Sequence, residues 1–434
     1  MDHGDPSVSS EPVASIRPPL SGGPAGGAEP WTTRRLIAWM TDRFERANVE
    51  PPRLVAEMLL AHVLEVERMR LYMEPDREAS EDERLTLRDL VVRAARHEPV
   101  QYLVGEAHFY GRMFAVDGSS LIPQPCTEEI VAEAVRFLRP ERASVFDRFD
   151  LQRMDELVDT LQGGEPERGA GAAPAPLPVT NIGPDPDATG SAVSNDTASA
   201  DESRRTDHAA FVRAAGPLVA DIGTGSGCIG VSIAASVPNA RVLLTDIESA
   251  ALALAGRNAE RFGVTERVLR LEGDGCEPLR RWLAEQIEQA GEARQADVTI
   301  EGFDAIVSNP PYIPDAEWEG GDVETSVMRH VPESATRGGS DGLSVIRPLL
   351  REAPQLLRPG GLLVIECAAS HTQQVLEWAN LHPRLEDARI ADDEDGHPRL
   401  LIARRTGGPK PAATADETTA IATAIANASV DDRE

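Results

Sequence analysis

Leu218-Val219-Ala220-Asp221-Ile222-Gly223-Thr224-Gly225-Ser226-Gly227 is the stretch whose reading decides the fold. An apolar run of strand length closes on an aspartate, and alternating glycines follow before residues 229–236 take up a helical pattern. Glycines let the backbone turn sharply and let a ligand approach it. The helix N-terminus behind them can receive a carboxylate or a phosphate. Gly225, Gly227 and Gly230 also fit the spacing G-x-G-x-x-G. Taken alone, this loop does not choose between a nicotinamide dinucleotide and S-adenosylmethionine.

Outward from the loop, residues 241–245, 268–271, 303–307, 362–366 and 399–403 read as further strands. Helical patterns at 248–262, 279–290, 343–357 and 371–379 separate most of them. Such alternation predicts a mostly parallel, doubly wound α/β sheet, which binds ligands beyond the carboxyl ends of its strands. Asp246 ends the second strand, 19 residues past Gly227, where an acidic residue commonly accepts hydrogen bonds from ribose hydroxyls. A nucleoside-containing cofactor is therefore expected. Glu272-Gly273-Asp274-Gly275 ends the third strand, so Asp274 and Gly275 are candidates on the adenine side. Asp274 reads equally well as a surface loop residue.

The fourth strand ends in Ser308-Asn309-Pro310-Pro311-Tyr312. Two prolines stop a strand abruptly, fix two φ angles and restrict the residue before each of them. The resulting stiff loop presents the Asn309 amide, the Pro310 carbonyl and the Tyr312 ring. Dehydrogenases have no recurring need for such a loop. Together with 221–227 and Asp246, it resembles the amino-methyltransferases that use S-adenosylmethionine. The resemblance implies that Asn309 and Pro310 accept the two hydrogens of a planar nitrogen, while Pro311 shapes the loop and Tyr312 stacks on the planar group. Catalysis would come mostly from orientation and placed dipoles.

Composition narrows the partners. The 434 residues carry 43 Lys+Arg against 72 Asp+Glu, a formal −29. A polyanion gains nothing by neutralising phosphates, so non-specific nucleic-acid binding is disfavoured. Cys126, Cys228, Cys276 and Cys367 show no metal spacing and suit a reducing compartment. No apolar run approaches the ~18 residues of a membrane span, and no secretory pattern opens the chain. A cytoplasmic protein without membrane contact is the expectation.

Residues 1–30 and 406–434 read as a disordered leader and tail, and 140–216 as a low-complexity insertion with a short helix at 148–161. Residues 31–97 read as a small helical domain. Its apolar stripes are Leu36, Ile37, Met40 and Phe44, then Leu54, Met58, Leu59, His62 and Val63, then Leu85, Leu87, Leu90, Val91 and Ala94. His62 is expected to pack, not to ligate. Residues 98–125 read as a hairpin around Gly111 and a rigid linker, and 126–405 as the α/β domain.

Three further stretches name a family. Glu98 to Gly105, His108-Phe109-Tyr110-Gly111 and Leu121-Ile122-Pro123-Gln124-Pro125 closely resemble the protein-(glutamine-N5) methyltransferases of the HemK/PrmC family, which modify peptide chain release factors. His330-Val331-Pro332-Glu333 and residues 338–343 are similar to that family too. The resemblance covers about 31–138 and 217–405. It implies a class I methyltransferase, Rossmann-like, with a mostly parallel sheet, a reversed last strand and a preceding helical domain that docks the release factor. The implied cofactor site is Asp221, Gly223, Thr224, Gly225, Ser226, Gly227, Asp246, Asp274, Gly275 and Asn309. This chain departs from the family pattern at Gln124, Cys126 and Val331, and at 366–369. Two other readings fit the residues: an adenine-N6 nucleic-acid methyltransferase, and a diverged relative that only binds a partner.

Overall fold

The computed structural model describes residues 30–139, 211, 215–293, 301–320 and 325–408. The leader, nearly all of the 140–216 insertion with its expected helix, and the tail beyond 408 lie outside these residues. The chain divides into two compact units, one ending at Val104 and one beginning at Gly105.

The first unit is helical: α1 (Thr33–Arg46), α2 (Pro52–Val63), α3 (Arg68–Met73), α4 (Glu81–Ala94) and α5 (Val100–Val104). Local chemistry starts these helices. The Thr32 hydroxyl accepts from the Arg35 amide, and Pro52 occupies the first turn of α2. Ser80 and Glu83 form a reciprocal capping box on α4. Leu36, Met40, Phe44, Leu59, Leu60, Leu87, Leu90 and Val91 close the core. Two expectations need correction. His62 is exposed, because the stripe of α2 that faces the core runs through Val55, Ala56, Leu59 and Leu60. The unit also extends past 97, since 98–104, grouped by sequence with the hairpin segment, form α5 and its approach.

The second unit opens with the expected hairpin, β1 (Glu106–Phe109) and β2 (Arg112–Ala115). Tyr110 and Gly111 both have positive φ, 49° and 67°, which suits the right-handed twist of a two-residue hairpin turn. Then come α6 (Glu128–Leu138), β3 (Leu218–Ile222), α7 (Cys228–Ser236), β4 (Arg241–Asp246), α8 (Ser249–Arg261), β5 (Val268–Glu272) and α9 (Glu277–Ala293). β6 (Phe303–Ser308), α10 (Asp315–Gly320), α11 (Thr325–His330), α12 (Ile346–Leu356), β7 (Leu357–Glu366), α13 (Thr372–Leu381), β8 (Leu385–Asp392) and β9 (Pro398–Arg405) follow.

The sheet has seven strands in the order β5-β4-β3-β6-β7-β9-β8. β9 runs antiparallel to both neighbours and the other pairs are parallel, so the last strand is reversed as expected. β8 escaped the sequence reading because it is an edge strand. Only Leu385 of its residues is buried, Asp387 sits at φ 54°, and the apolar alternation is lost.

Successive side chains of a strand point to opposite faces, and both faces here are covered. Leu218, Ala220, Ile222, Leu243, Ile306 and Leu363 pack with Trp282, Leu349 and Leu350. Val219, Val242, Leu244, Ala305 and Val307 pack with Ile130, Ile229 and Ala255. Phe211, assigned by sequence to the insertion, belongs to the first of these cores. It stacks edge-on against Trp282 at 6.3 Å, and the buried Arg241 guanidinium donates to its carbonyl. A lone aromatic in a short alanine-rich stretch carries no period, so its anchoring is invisible before folding.

One buried amide ties the hairpin to the sheet layer. Asn258 Oδ1 accepts from the Ala115 amide at 2.8 Å, and its Nδ2 donates to the Ala115 carbonyl at 2.9 Å and the Ser226 carbonyl at 2.8 Å. Asn258→Ala strands three buried backbone groups. Urea denaturation should show a stability loss of about 2–4 kcal/mol, since each orphaned group costs ~1–3 kcal/mol before relaxation.

Candidate active site at the carboxyl end of the sheet

Strand register assembles the site. Ile222 pairs with both Thr245 and Ser308, and Asp246 pairs with Glu272. The four strand ends therefore reach one edge together, and the Ser308 hydroxyl donates to the Ile222 carbonyl at 2.8 Å. A cleft opens above that edge. Its lining includes Gly223, Thr224, Gly225, Ser226, Asp246, Asp274, Gly275, Asn309, Pro310 and Pro311. These are residues the sequence singled out.

Three others hold the site without lining it. Asp221 is wholly buried beneath the glycine loop, where its Oδ2 accepts from the Thr224 hydroxyl at 2.6 Å and the Gly230 amide at 2.9 Å. Gly227 is a packing glycine: a Cβ there would stand 2.9 Å from Ala255 Cβ. Tyr312 lies below the cleft lining, its hydroxyl donating to Glu366 Oε1 at 3.3 Å. Burial pushes the Tyr312 phenol far above its ordinary value, and the Glu366 charge adds to the shift. The ring is therefore neutral and not a general base.

The loop is shaped to receive a ligand. Gly223 has φ 70° and lines the cleft, and a Cβ built on it meets nothing within 4 Å. It would instead project into the cleft. Asp246 accepts from the Gly225 amide at 2.8 Å through Oδ2 and from the Glu248 amide at 3.0 Å through Oδ1. Each carboxylate oxygen keeps a lone pair for a hydroxyl. Ile247, an exposed apolar side chain, follows it in the cleft wall. Paired diol acceptors, an apolar wall and a bare glycine backbone fit the ribose, the base and the amino-acid end of S-adenosylmethionine, respectively.

Sequence reasoning missed several lining residues. Ser120, Leu121, Ile122, Pro123, Gln124 and Thr127 form one wall. The rigid Leu121–Pro125 stretch was the available signal, read as a linker. Ser334, Ala335 and Arg337 enter from a loop with no local motif. The four cysteines are free, and burial pushes the Cys126 thiol up to about 11. Among the described residues no group of side chains could hold a metal ion, and no helix is long and apolar enough to cross a membrane.

Sheet order, glycine loop and acidic strand end define the class: a class I methyltransferase whose methyl donor is S-adenosylmethionine. Profiles of the PrmC N-terminal domain and the methyltransferase small domain match residues 35–105 and 209–340. A release factor glutamine methyltransferase of Geobacter sulfurreducens is 32% identical over 376 residues, covering 87% of this chain and 98% of the relative. Those of Rhodopirellula baltica and Chlorobaculum tepidum are 30% and 31% identical, over 87% and 80% of this chain and 97% and 88% of theirs. The chain belongs to the release factor glutamine methyltransferase family.

Asp221 gives the site a pH signature. Burial pushes its carboxyl up to about 6, against the pull of Thr224 and Gly230. The unfolded carboxyl ionises near its ordinary value, so between about pH 4 and 6 the native state holds the extra proton. Stability without cofactor therefore falls as pH rises through this window, by up to ~3 kcal/mol from this one group. Asp221→Asn should lack that component, and urea denaturation of both proteins from pH 4 to 7 measures the difference.

Proposed function

We propose that this chain methylates the side-chain amide nitrogen of a glutamine in a peptide chain release factor, with Asn309 and Pro310 as the residues that hold that nitrogen. The single observation that supports this most directly is the position of Asn309 and Pro310 at the end of β6, lining the same cleft as the glycine loop and Asp246. S-adenosylmethionine supplies the methyl group on a sulfonium, a strong electrophile that needs no metal.

The acceptor nitrogen is the difficult partner. An amide lone pair is delocalised into its carbonyl, which makes the nitrogen planar and a poor nucleophile. The Asn309 Oδ1 and the Pro310 carbonyl accept its two hydrogens and leave the nitrogen's open face toward the donor. Pro310 and Pro311 keep those acceptors from swinging. Tyr312 does not line the cleft; tied to Glu366, it braces the loop that carries these acceptors. The nitrogen ends with one methyl in place of one hydrogen, and the released proton passes to solvent. Orientation and preset dipoles carry the rate, in line with the neutral, high-pKa Tyr312.

Gly223, Thr224, Gly225, Ser226, Asp246, Asp274 and Gly275 hold the cofactor in this reading, with Asp221 and Gly227 shaping the loop. The first, helical unit serves to dock the release factor. A release-factor substrate and four free thiols support a cytoplasmic location in this reading.

Mass spectrometry of release factors incubated with the purified chain and S-adenosylmethionine tests the assignment. One added methyl on a single glutamine is the expected result. Asn309→Ala should lower turnover about 100-fold or more, as loss of a placed dipole does, while calorimetry still registers cofactor binding. No transfer to any release factor, together with an Asn309→Ala variant that behaves like the unaltered chain, would overturn it.

A further inference from the structure

Beneath Asn309 lies a hydrogen-bond chain that the roles above leave unused. Asn309 Nδ2 donates to Thr127 Oγ1 at 3.0 Å. Thr127 is buried, and Glu366, itself wholly buried, lies close enough for the two side chains to interact electrostatically. The same carboxylate accepts from Tyr312 and from the Cys126 thiol, whose Sγ lies 3.7 Å away. The end of β6, the turn into α6 and the end of β7 meet there. Thr127 stands at the N-cap position of α6, yet its side chain makes no cap bond to the helix. Its hydroxyl oxygen accepts from Asn309 instead.

This arrangement bears on a question that shape alone leaves open. The two ends of an asparagine amide are nearly equal in size, so packing does not decide which one faces a substrate. Reversal would be damaging, because an NH2 group aimed at a substrate NH2 opposes two donors. A threonine hydroxyl has one proton and two lone pairs. Glu366 is a far stronger acceptor than the Cys126 thiol, so the proton goes to the carboxylate. The lone pairs then face Asn309 and accept only its NH2 end.

We propose that Thr127, held by Glu366, is a positioning residue that sets the polarity of the Asn309 amide, so that Oδ1 faces the substrate nitrogen. This rests on the proposed function. Thr127 acts through Asn309, and Glu366 acts through Thr127 and Tyr312. Burial raises the Glu366 pKa, while hydrogen bonds from Thr127 and Tyr312 and the charge of Arg399 act the other way. Burial is the larger effect, so the carboxyl sits above its ordinary value, and the donors around it limit that rise.

Thr127→Val removes the hydroxyl at nearly constant shape, and Thr127→Ser retains it. With the full chain, a release factor and S-adenosylmethionine, Thr127→Val should lower kcat roughly 10- to 100-fold, the range of a misdirected dipole. KM for the release factor and the calorimetric affinity for the cofactor should stay within about threefold, since the dipole acts chiefly in the transition state. Thr127→Ser should return kcat to within about threefold of the unaltered chain. In Glu366→Gln the new amide can donate to Thr127 and release the hydroxyl proton toward Asn309. It should lower kcat too, and adding Thr127→Val should lower it no further, as expected of coupled neighbours.

Full turnover in Thr127→Val, or a Thr127→Ser variant as impaired as Thr127→Val, overturns the proposal. Thermal unfolding of each variant separates misfolding from misdirection. If Thr127→Val does not fold, Glu366→Gln carries the test, and an unchanged kcat there overturns the proposal equally. An unaltered chain that methylates no release factor overturns the functional reading and this inference together. An active unaltered chain with insensitive variants overturns this inference alone.

Discussion

The site depends on a carboxylate that never meets the substrate. Asp221 is buried near the end of β3, and one of its oxygens binds both the Thr224 hydroxyl and the Gly230 amide. Those two contacts bracket the glycine loop and pin its start and the first turn of α7 to the sheet. A loop of alternating glycines has the greatest conformational entropy to lose. A fixed acceptor beneath it converts that freedom into one shape. Desolvating a carboxylate is costly, which is why burial moves the Asp221 pKa upward. Gly230 is bare for the same reason: a Cβ there would stand 2.2 Å from Leu244 Cδ2 and 3.0 Å from the Asp221 carboxylate.

From that anchor the chemistry extends along the strand ends. Parallel register sets Gly223, Asp246 and Asn309 on one edge, so one rigid scaffold carries the glycine loop, the acidic strand end and the Asn309 loop of the proposed site. The Asn309 loop is itself supported by buried polar groups. Asn309 bonds Thr127, and beside that pair Tyr312 and Cys126 bond the buried Glu366 carboxylate. Polar networks in a low-dielectric setting hold their members to one geometry when every proton has a destination. A reaction that relies on orientation more than on proton transfer needs that rigidity. The neutral tyrosine and the absence of a free basic side chain on Asn309–Tyr312 agree with such a mechanism.

Much of this was legible in the chain. The alternation of strands and helices from 217 onward, the glycine loop, Asp246 and Asn309–Tyr312 all carry their structure in local pattern, because strand ends and tight loops constrain residue type directly. The departures share one cause, which is that long-range partners leave no local mark. His62 stands at helical spacing from apolar neighbours yet faces solvent, since the core-facing side of α2 is set by what packs on it. β8 lacks alternation because one edge and most of its surface are open. Phe211 joins the core from a stretch with no periodicity. The wall made by Ser120 to Gln124 and Thr127 comes from a segment that sequence reading took for a linker and a helix start.

The sequence by itself determined that a stiff loop at Asn309–Tyr312 closes a strand and that the glycine loop and Asp246 suit a nucleoside-bearing cofactor. Each of those specifications lies within a few consecutive residues, where covalent geometry and turn chemistry act. Tertiary structure alone decided which residues work by supporting others. Asp221 moved from the cleft to beneath it, Tyr312 acquired a buried acceptor, and Thr127 came to face Asn309 across 182 residues of chain. The physical reason is that a hydrogen bond has direction. Whether a side chain binds a ligand or orients the residue that does is settled by where its partner's lone pair points, and only the folded chain brings the two together.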